Sequence, residues 1–171
     1  MTSRWIMALV AMGVLVGFAA APASAQTFTL TANLTGANET PARINTGAFG
    51  SATVVIDMTA RTVTYTVQVF NFPSGVTASH IHVGAVGTSG PTVVPFAPPL
   101  TASNDFTYTG TVKDTEFTIR ADQGIRSADD MFQAILGGNS YVNVHSAVNP
   151  GGEIRGQLVL RGASTPGVPH E

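Results

Sequence analysis

From residue 26 onward, apolar and polar residues alternate with a period of two over several short segments. This pattern is typical of strands that bury one face. In the first segment, apolar side chains at positions 28, 30, 32 and 34 alternate with threonines and Asn33. The pattern predicts this first strand and five more: Phe49–Asp57, Thr62–Phe70, Ala78–Val83, Ser140–Ser146 and Gly152–Arg161. Phe106–Lys113 and Glu116–Ile119 are predicted as further short strands or turns.

Breaks in the alternation predict two long loops and one helix. Gly36–Gly47 and Gly84–Pro99 are rich in glycine and proline, which favour loops. Ser127–Leu136 has helical spacing, with Ser127 as a natural N-cap and two aspartates in the first turn, where the helix dipole favours negative charge. Gly137 and Gly138 end it.

Short strands separated by frequent turns indicate an all-β fold. We expect an antiparallel Greek-key barrel or sandwich of about seven or eight strands with one short helix. The composition agrees, because charged residues make up only 11% of the chain, against about 25% in a typical domain.

The first 25 residues have the pattern of a signal peptide. Arg4 supplies the positive start, Ile6–Ala20 is uncharged and apolar, and Ala23-Ser24-Ala25 is an A-x-A cleavage site. The alternative is a membrane anchor, but the run is shorter than the roughly 20 residues that a span needs. We therefore expect export to the periplasm or beyond, a β domain over residues 26–161, no membrane span after cleavage, and a frayed tail over residues 162–171.

Charge and cysteine content exclude several functions. The formal net charge is −2, and Lys113 is the only lysine among 8 basic residues. Such a chain offers no basic patch for nucleic acid. It has no cysteine, which excludes disulfides, thiolate metal sites and cysteine nucleophiles. The chain also lacks a Gly-x-Ser-x-Gly or HExxH motif, which disfavours those enzyme classes.

Three of the four histidines lie in predicted strands. His80 and His82 are two residues apart, so both imidazoles project from one strand face. His145 follows Val142 and Val144, which we expect to face the core, and it shares the opposite face with Tyr141 and Asn143. Imidazole is a preferred ligand of copper and zinc, so the three histidines are candidate metal ligands. The alternative is that they are solvent-facing polar residues of two strands.

Few charged residues accompany these histidines. Glu39 lies in the first loop, while Glu153 and Arg155 share one face of the last predicted strand. One interpretation is a surface ion pair between Glu153 and Arg155, which contributes under about 1 kcal/mol. The other is that Arg155 faces the histidines and draws in an anion, with Glu39 and Glu153 supporting the site from its second layer.

Read together, five segments resemble the CHRD domain, a module named after chordin and common in exported bacterial proteins. The resemblance covers roughly Phe28–Leu160 and is carried by these segments: Glu39-Thr40-Pro41, Ala78–Gly84, Gly90-Pro91, Tyr141–His145 and Asn149–Gln157. It names the module without assigning its biochemical role.

A weaker resemblance is to the copper/zinc superoxide dismutases, which are Greek-key barrels with a His-x-His strand. That resemblance implies that His80, His82 and His145 are copper ligands and that Arg155 guides an anion. The chain departs from the dismutases because no histidine between His82 and His145 can bridge copper to zinc. The zinc cluster and the disulfide are also absent, which disfavours dismutase activity.

Two hypotheses of function remain open at this point. The first is a binding module with a mononuclear copper site, or alternatively a zinc site, at His80, His82 and His145. The stability order of divalent metals favours copper at a nitrogen site. The second is a secreted, non-enzymatic domain that binds a protein or matrix partner and whose histidines are structural or pH-responsive.

Overall fold

The alternating segments form antiparallel strands in a computed structural model that describes residues 26–73, 75–99 and 103–164. One α-helix, α1, spans Ala128–Leu136, and single 3-10 turns lie at Gly36–Asn38, Asp114–Glu116 and Ala121–Gln123. Within these residues there are nine strands: β1 Thr27–Thr35, β2 Phe49–Asp57, β3 Thr62–Phe70, β4 Val76–Val83, β5 Thr92–Pro95, β6 Phe106–Lys113, β7 Ser140–Ser146, β8 Ile154–Gln157 and β9 Val159–Ser164.

The strands form one sheet that curls into a nearly closed barrel. Neighbours follow the order β5-β4-β7-β8-β1-β2-β3-β6, and β9 also pairs with β1. The two ends of the sheet meet through side chains. Tyr108 of β6 donates a 2.7 Å hydrogen bond to Ser79 of β4, and the Tyr65 hydroxyl of β3 accepts one from the Ala97 amide after β5. The all-β class with one short helix is confirmed, as a barrel.

Strand alternation decides which side chains fill the barrel. Leu30 and Leu34 of β1 have no solvent exposure, as do Val54 of β2 and Val67 of β3. Threonines occupy most of the positions between them, where their branched side chains suit a strand surface. β2 and β3 pair along their whole length, from Phe49 opposite Phe70 to Asp57 opposite Thr62.

The predicted helix is confirmed with its cap. Ser127 is the N-cap residue just before α1. Its hydroxyl accepts a hydrogen bond at 3.1 Å from the backbone amide of Asp130 in the first turn. Met131, Phe132 and Ile135 are fully buried, so α1 packs one face on the barrel. Their spacing of three to four residues is the reason why a single apolar stripe suffices.

One loop prediction was wrong in detail. The predicted loop Gly84–Pro99 contains β5, which pairs with β4. This strand escapes a period-two search because it has four residues and buries Val93 and Val94 in succession. Glu116–Ile119, predicted as a short strand or a turn, forms no strand, and its first residue ends a 3-10 turn.

The last predicted strand is divided at Leu158. Its amide bonds to the Ser140 carbonyl on β7. Before it, β8 pairs with β7 and, at Arg155, with β1, whereas β9 after it pairs with β1. The alternation therefore shifts, so that Leu160 is 44% exposed whereas Ile154 is fully buried. The strand also continues to Ser164, three residues past the predicted end.

The predicted signal peptide and residues 165–171 of the predicted tail lie outside the described residues. Among the residues that are described, no helix is long and apolar enough to cross a membrane.

Candidate metal centre

The candidate site lies on the outer face of three adjacent strands, β4, β7 and β8. In β4, Ser79 and Ile81 point into the core and are fully buried. His80 and His82 alternate with them and therefore project from the opposite face. The predicted common orientation of this pair is confirmed by the packing of their rings, whose centroids are 5.6 Å apart.

The pairing of β4 with β7 brings the third histidine to this pair. Asn143 lies opposite His80, and Tyr141 lies opposite His82, while His145 lies opposite Ala78. The His145 ring centroid is 5.3 Å from that of His80 and 5.9 Å from that of His82. One ligand atom from each of the three rings lies within 4.8 Å of the other two. The structure thus brings together all three predicted ligands.

Hydrogen bonds define which nitrogen each histidine can offer. Nδ1 of His82 is 2.9 Å from the Gly90 carbonyl, and Nδ1 of His145 is 3.0 Å from the Pro150 carbonyl. A carbonyl only accepts, so each Nδ1 carries the proton and each Nε2 keeps its lone pair. Such a second-layer bond orients histidines that ligate metals.

Three buried imidazole nitrogens have no hydrogen-bond partner among the described residues. They are Nδ1 of His80, Nε2 of His82 and Nε2 of His145. A buried polar atom without a partner is costly, and three of them facing one another point to a ligand that accepts lone pairs. Metal–nitrogen bonds of about 2.0–2.1 Å require ligand atoms about 3.4 Å apart in a tetrahedral site. Small side-chain movements would bring the three nitrogens to that spacing.

Burial also keeps the three rings neutral. It lowers the pKa of His82 to about 4, and it lowers the pKa values of His80 and His145 below the usual value of 6.5. A charge on His145 adds to the effect at His80. Neutral imidazole is the form that binds a metal, so no proton has to leave the ligands near pH 7.

The alternative interpretation required the outer face to be exposed to solvent. That face is instead covered. Every residue of β7 is buried, and His145 is only 8% exposed. Three segments, which we call the cover loops, lie over this face: residues 39–44, 84–91 and 147–153. The carbonyls of Gly90 and Pro150, which accept from the histidines, belong to two of them.

Arg155 of β8 joins two cover loops to the site. Its guanidinium donates through Nη1 to the Thr40 hydroxyl and through Nη2 to the Thr88 carbonyl, the latter at 2.7 Å. Its carbon atom Cζ lies 3.3 Å from the centre of the Tyr141 ring. Arg155 is 3% exposed, and burial lowers its pKa. The role in guiding an anion stays a prediction.

The surface ion pair between Glu153 and Arg155 was wrong. Glu153 is fully buried, and its Oε2 accepts hydrogen bonds from the Ser146 hydroxyl and from the side-chain amide of Asn149. Its place in the chain explains the difference, because Glu153 precedes β8 and its backbone amide bonds to Val144 on β7. Glu153 thus holds the third cover loop against β7.

Glu39 lies beside the same layer of the site. It is 6% exposed, and burial raises its pKa to about 7 despite the opposing charge of Arg155. A Cβ built on Gly152 would lie 2.6 Å from Glu39 Oε1 and 2.8 Å from Asn143 Oδ1. Gly152 has φ of +142°, so glycine is required there both for the backbone and for the space.

Sequence reasoning gave no role to three residues of the site. Tyr141 stacks on His82 with ring centroids 4.9 Å apart and an angle of 11°. Its hydroxyl accepts from the Gly90 amide at 3.0 Å. Asn143 and Gly152 pack against Glu39. A signal was available, because Tyr141 and Asn143 alternate with the valines of β7 and share the face of His145.

Comparison with known proteins agrees with this arrangement. Neither the search of curated proteins nor the search of solved structures finds a match. The profile of the CHRD domain matches residues 30–158, which run from within β1 to the end of β8 and include all the site residues described above. This match covers most of the chain and both of its histidine-bearing strands. The chain therefore belongs to the CHRD domain family.

Proposed function

We propose that this CHRD domain is a metal-binding module that holds one copper ion. The ligands are Nδ1 of His80, Nε2 of His82 and Nε2 of His145. The observation that carries the proposal is the convergence of three buried nitrogens without hydrogen-bond partners, two of them on rings oriented by backbone carbonyls.

The donor set favours copper over other metals. Three neutral imidazoles without a thiolate or a ligating carboxylate suit copper and zinc, whereas magnesium and calcium prefer oxygen. Among divalent ions of the first transition row, copper binds nitrogen sites most tightly. Zinc is the alternative occupant.

The proposal includes export of the protein. Arg4, the apolar run Ile6–Ala20 and the Ala23-Ser24-Ala25 site support it. Outside the cytoplasm, a site made of imidazoles alone is insensitive to the oxidation that limits thiolate sites.

A bound copper ion would supply either reversible one-electron exchange or storage of the ion itself. The residues of the chain do the rest. Gly90 and Pro150 fix the tautomers of two ligands, and Arg155 keeps the cover loops closed over the site. Because the site is buried, only small molecules could reach the bound ion.

The test is a titration of the purified protein with Cu²⁺, followed by calorimetry and electron paramagnetic resonance. We expect one tightly bound ion per chain, with hyperfine structure from nitrogen. The variants His80→Ala, His82→Ala and His145→Ala should each weaken binding by at least tenfold. His170→Ala, which removes the fourth histidine of the sequence, is the matched control and should bind as the wild type does.

Weak binding that none of the three substitutions changes would overturn the copper site. The histidines would then be structural, and the search would turn to a protein or matrix partner of the domain. Tighter binding of Zn²⁺ than of Cu²⁺ in the same titration would overturn the choice of metal while retaining the site.

A further inference from the structure

Two buried oxygen atoms, from Glu39 and Asn143, lie beside Gly152. Glu39 Oε1 and Asn143 Oδ1 both lie within 3 Å of the point that a Cβ on Gly152 would occupy. Neither oxygen has a hydrogen-bond partner among the described residues, and their side chains are 6% and 4% exposed. An ionised carboxylate only accepts, and so does an amide oxygen. Asn143 Nδ2 lies 2.6 Å from the same point and favours the ionised form of Glu39, whereas a proton on Glu39 lets its carboxyl donate to Asn143 Oδ1.

The charged groups around Glu39 do not hold its carboxyl in the ionised form. Arg155 reaches it from β8 and favours the ionised form, whereas Glu153 disfavours that form. Asn143 of β7 is neutral, and residues 84–91 contain no charged side chain. Burial outweighs these charges and holds the pKa of Glu39 near 7.

Asn143 connects Glu39 to the histidines. It lies directly opposite His80 in the β4–β7 pairing. It also shares a strand face with His145, two residues further along β7. Glu39 itself is not one of the groups whose ligand atoms lie within 4.8 Å of one another.

A metal ion would change the electrostatics of this region. Three neutral imidazoles leave the full double charge of a divalent ion in a buried site. Glu39 and Glu153 are the buried carboxyls among the described residues. A nearby cation favours the ionised form of a carboxyl, and the effect is strong where water is excluded.

We propose that Glu39 exchanges a proton with the binding of the metal: its carboxyl is protonated in the metal-free protein and ionised when a divalent ion occupies the three histidines. This inference rests on the proposed function. The O–H bond of Glu39 breaks, its electron pair stays on the carboxylate, and the proton passes to water. Two cavities border Glu39, of about 360 and 240 Å³, and offer that water.

The direct test is difference infrared spectroscopy of the full chain with ¹³C-labelled glutamate, near pH 6. We expect a carboxylic-acid C=O band in the metal-free protein and its loss after one equivalent of Cu²⁺. Glu39→Gln, which keeps the size of the side chain, should lack the band before and after copper. Glu116→Gln is the matched control, because Glu116 is exposed and accepts from the Lys113 amide.

Proton linkage gives a second readout that a purely structural role would not change. Calorimetry in two buffers of different ionisation enthalpy counts the protons released with copper. The wild type should release about one proton more than Glu39→Gln near pH 6. Its copper affinity should rise about tenfold more between pH 5.5 and 6.5 than that of the variant, since each linked proton contributes tenfold per pH unit.

The outcomes separate this inference from the proposed function. Copper binding with no acid band, or with a band that persists after binding, overturns the role of Glu39 and leaves the copper site intact. Equal proton release by the wild type and Glu39→Gln does the same. No copper binding to the wild type overturns both.

Discussion

The guanidinium of Arg155 lies 3.3 Å from the centre of the Tyr141 ring, and that ring stacks on His82. The three side chains come from β8, β7 and β4, which are neighbours in this order. Because Arg155 also bonds to Thr40 and Thr88, the stack connects two cover loops to a candidate ligand. The stability of the loops and the position of His82 therefore depend on one residue.

Replacing Arg155 should affect both stability and copper binding. Arg155→Ala leaves the Thr88 carbonyl without its donor, and hydrogen bonds to charged groups contribute about 1.5–3 kcal/mol each. We expect the free energy of unfolding, measured with urea, to fall by about 2–4 kcal/mol. Copper affinity should fall with it. Arg155→Lys should recover little, because an ammonium cannot reproduce the planar fork.

Arg161→Ala is the control for this substitution. Arg161 is exposed, and its Nε donates to the Thr31 hydroxyl at 2.9 Å on the far part of the last strand. Its loss should change stability by no more than about 0.5 kcal/mol. Equal effects of the two substitutions would contradict the role assigned to Arg155.

Gly152 should be intolerant of any side chain, in contrast to its neighbour. At Gly152, φ is +142° and a Cβ would lie 2.6 Å from Glu39 Oε1. A Cβ on Gly151 would meet nothing within 4 Å. We expect Gly152→Ala to reduce the free energy of unfolding by about 1–3 kcal/mol or more and Gly151→Ala to leave it nearly unchanged. Similar thermal midpoints for the two variants would refute this account of the site.

The orientation of the three histidines could be predicted from sequence because it depends on short-range rules, whereas their convergence depends on the pairing of β4 with β7. Residues that are two positions apart on a strand project from the same face, and this rule placed His80 and His82 together. The valines of β7 gave the orientation of His145 by the same reasoning. Neither inference needed to know how the strands were ordered.

The second layer could not be predicted because it depends on contacts between distant segments. Glu153 and Arg155 share a strand face, which suggested an exposed pair. Their partners, Asn149 and Thr40, lie on different cover loops. Only the folded arrangement of those loops makes the outer face of β7 a second interior, and strand periodicity contains no information about it.

Copper should slow exchange of the Gly90 amide hydrogen. That amide bonds to the Tyr141 hydroxyl, while the Gly90 carbonyl accepts from His82. Ligation of Nε2 makes the Nδ1–H group a stronger donor and ties residues 84–91 more tightly to the site. We expect the protection of Gly90, followed by hydrogen–deuterium exchange, to increase after one equivalent of Cu²⁺.

The Ala60 amide provides an internal reference for this measurement. It bonds to Asp57 in the β2–β3 turn, away from the cover loops, so its exchange should not respond to copper. An equal increase at both amides would indicate general stabilisation of the fold by the ligand rather than a specific effect on the loop.

The stability of the metal-free protein should depend on pH through opposed contributions from Glu39 and from the buried histidines, of which His82 has the lowest pKa. The pKa of Glu39 is about 7 in the folded protein, against 4.5 ordinarily. The folded state therefore binds more protons between these values, and the contribution of Glu39 is lost as the pH rises from 4.5 to 7. The pKa of His82 is about 4, against 6.5 ordinarily. There the unfolded state binds more protons, so that contribution grows as the pH rises from 4 to 6.5.

Glu39→Gln removes the contribution to stability that is lost as the pH rises, and it leaves the contribution of His82, which grows as the pH rises. The free energy of unfolding of the variant should therefore rise more steeply with pH than that of the wild type. A shift of 2.5 pH units corresponds to about 3 kcal/mol, which is the largest gain that we expect for the variant relative to the wild type between pH 4.5 and 8. Urea titrations with a chelator present measure it. Glu116→Gln should run parallel to the wild type, and a parallel line for Glu39→Gln as well would mean that Glu39 is ionised throughout, as an exposed glutamate is.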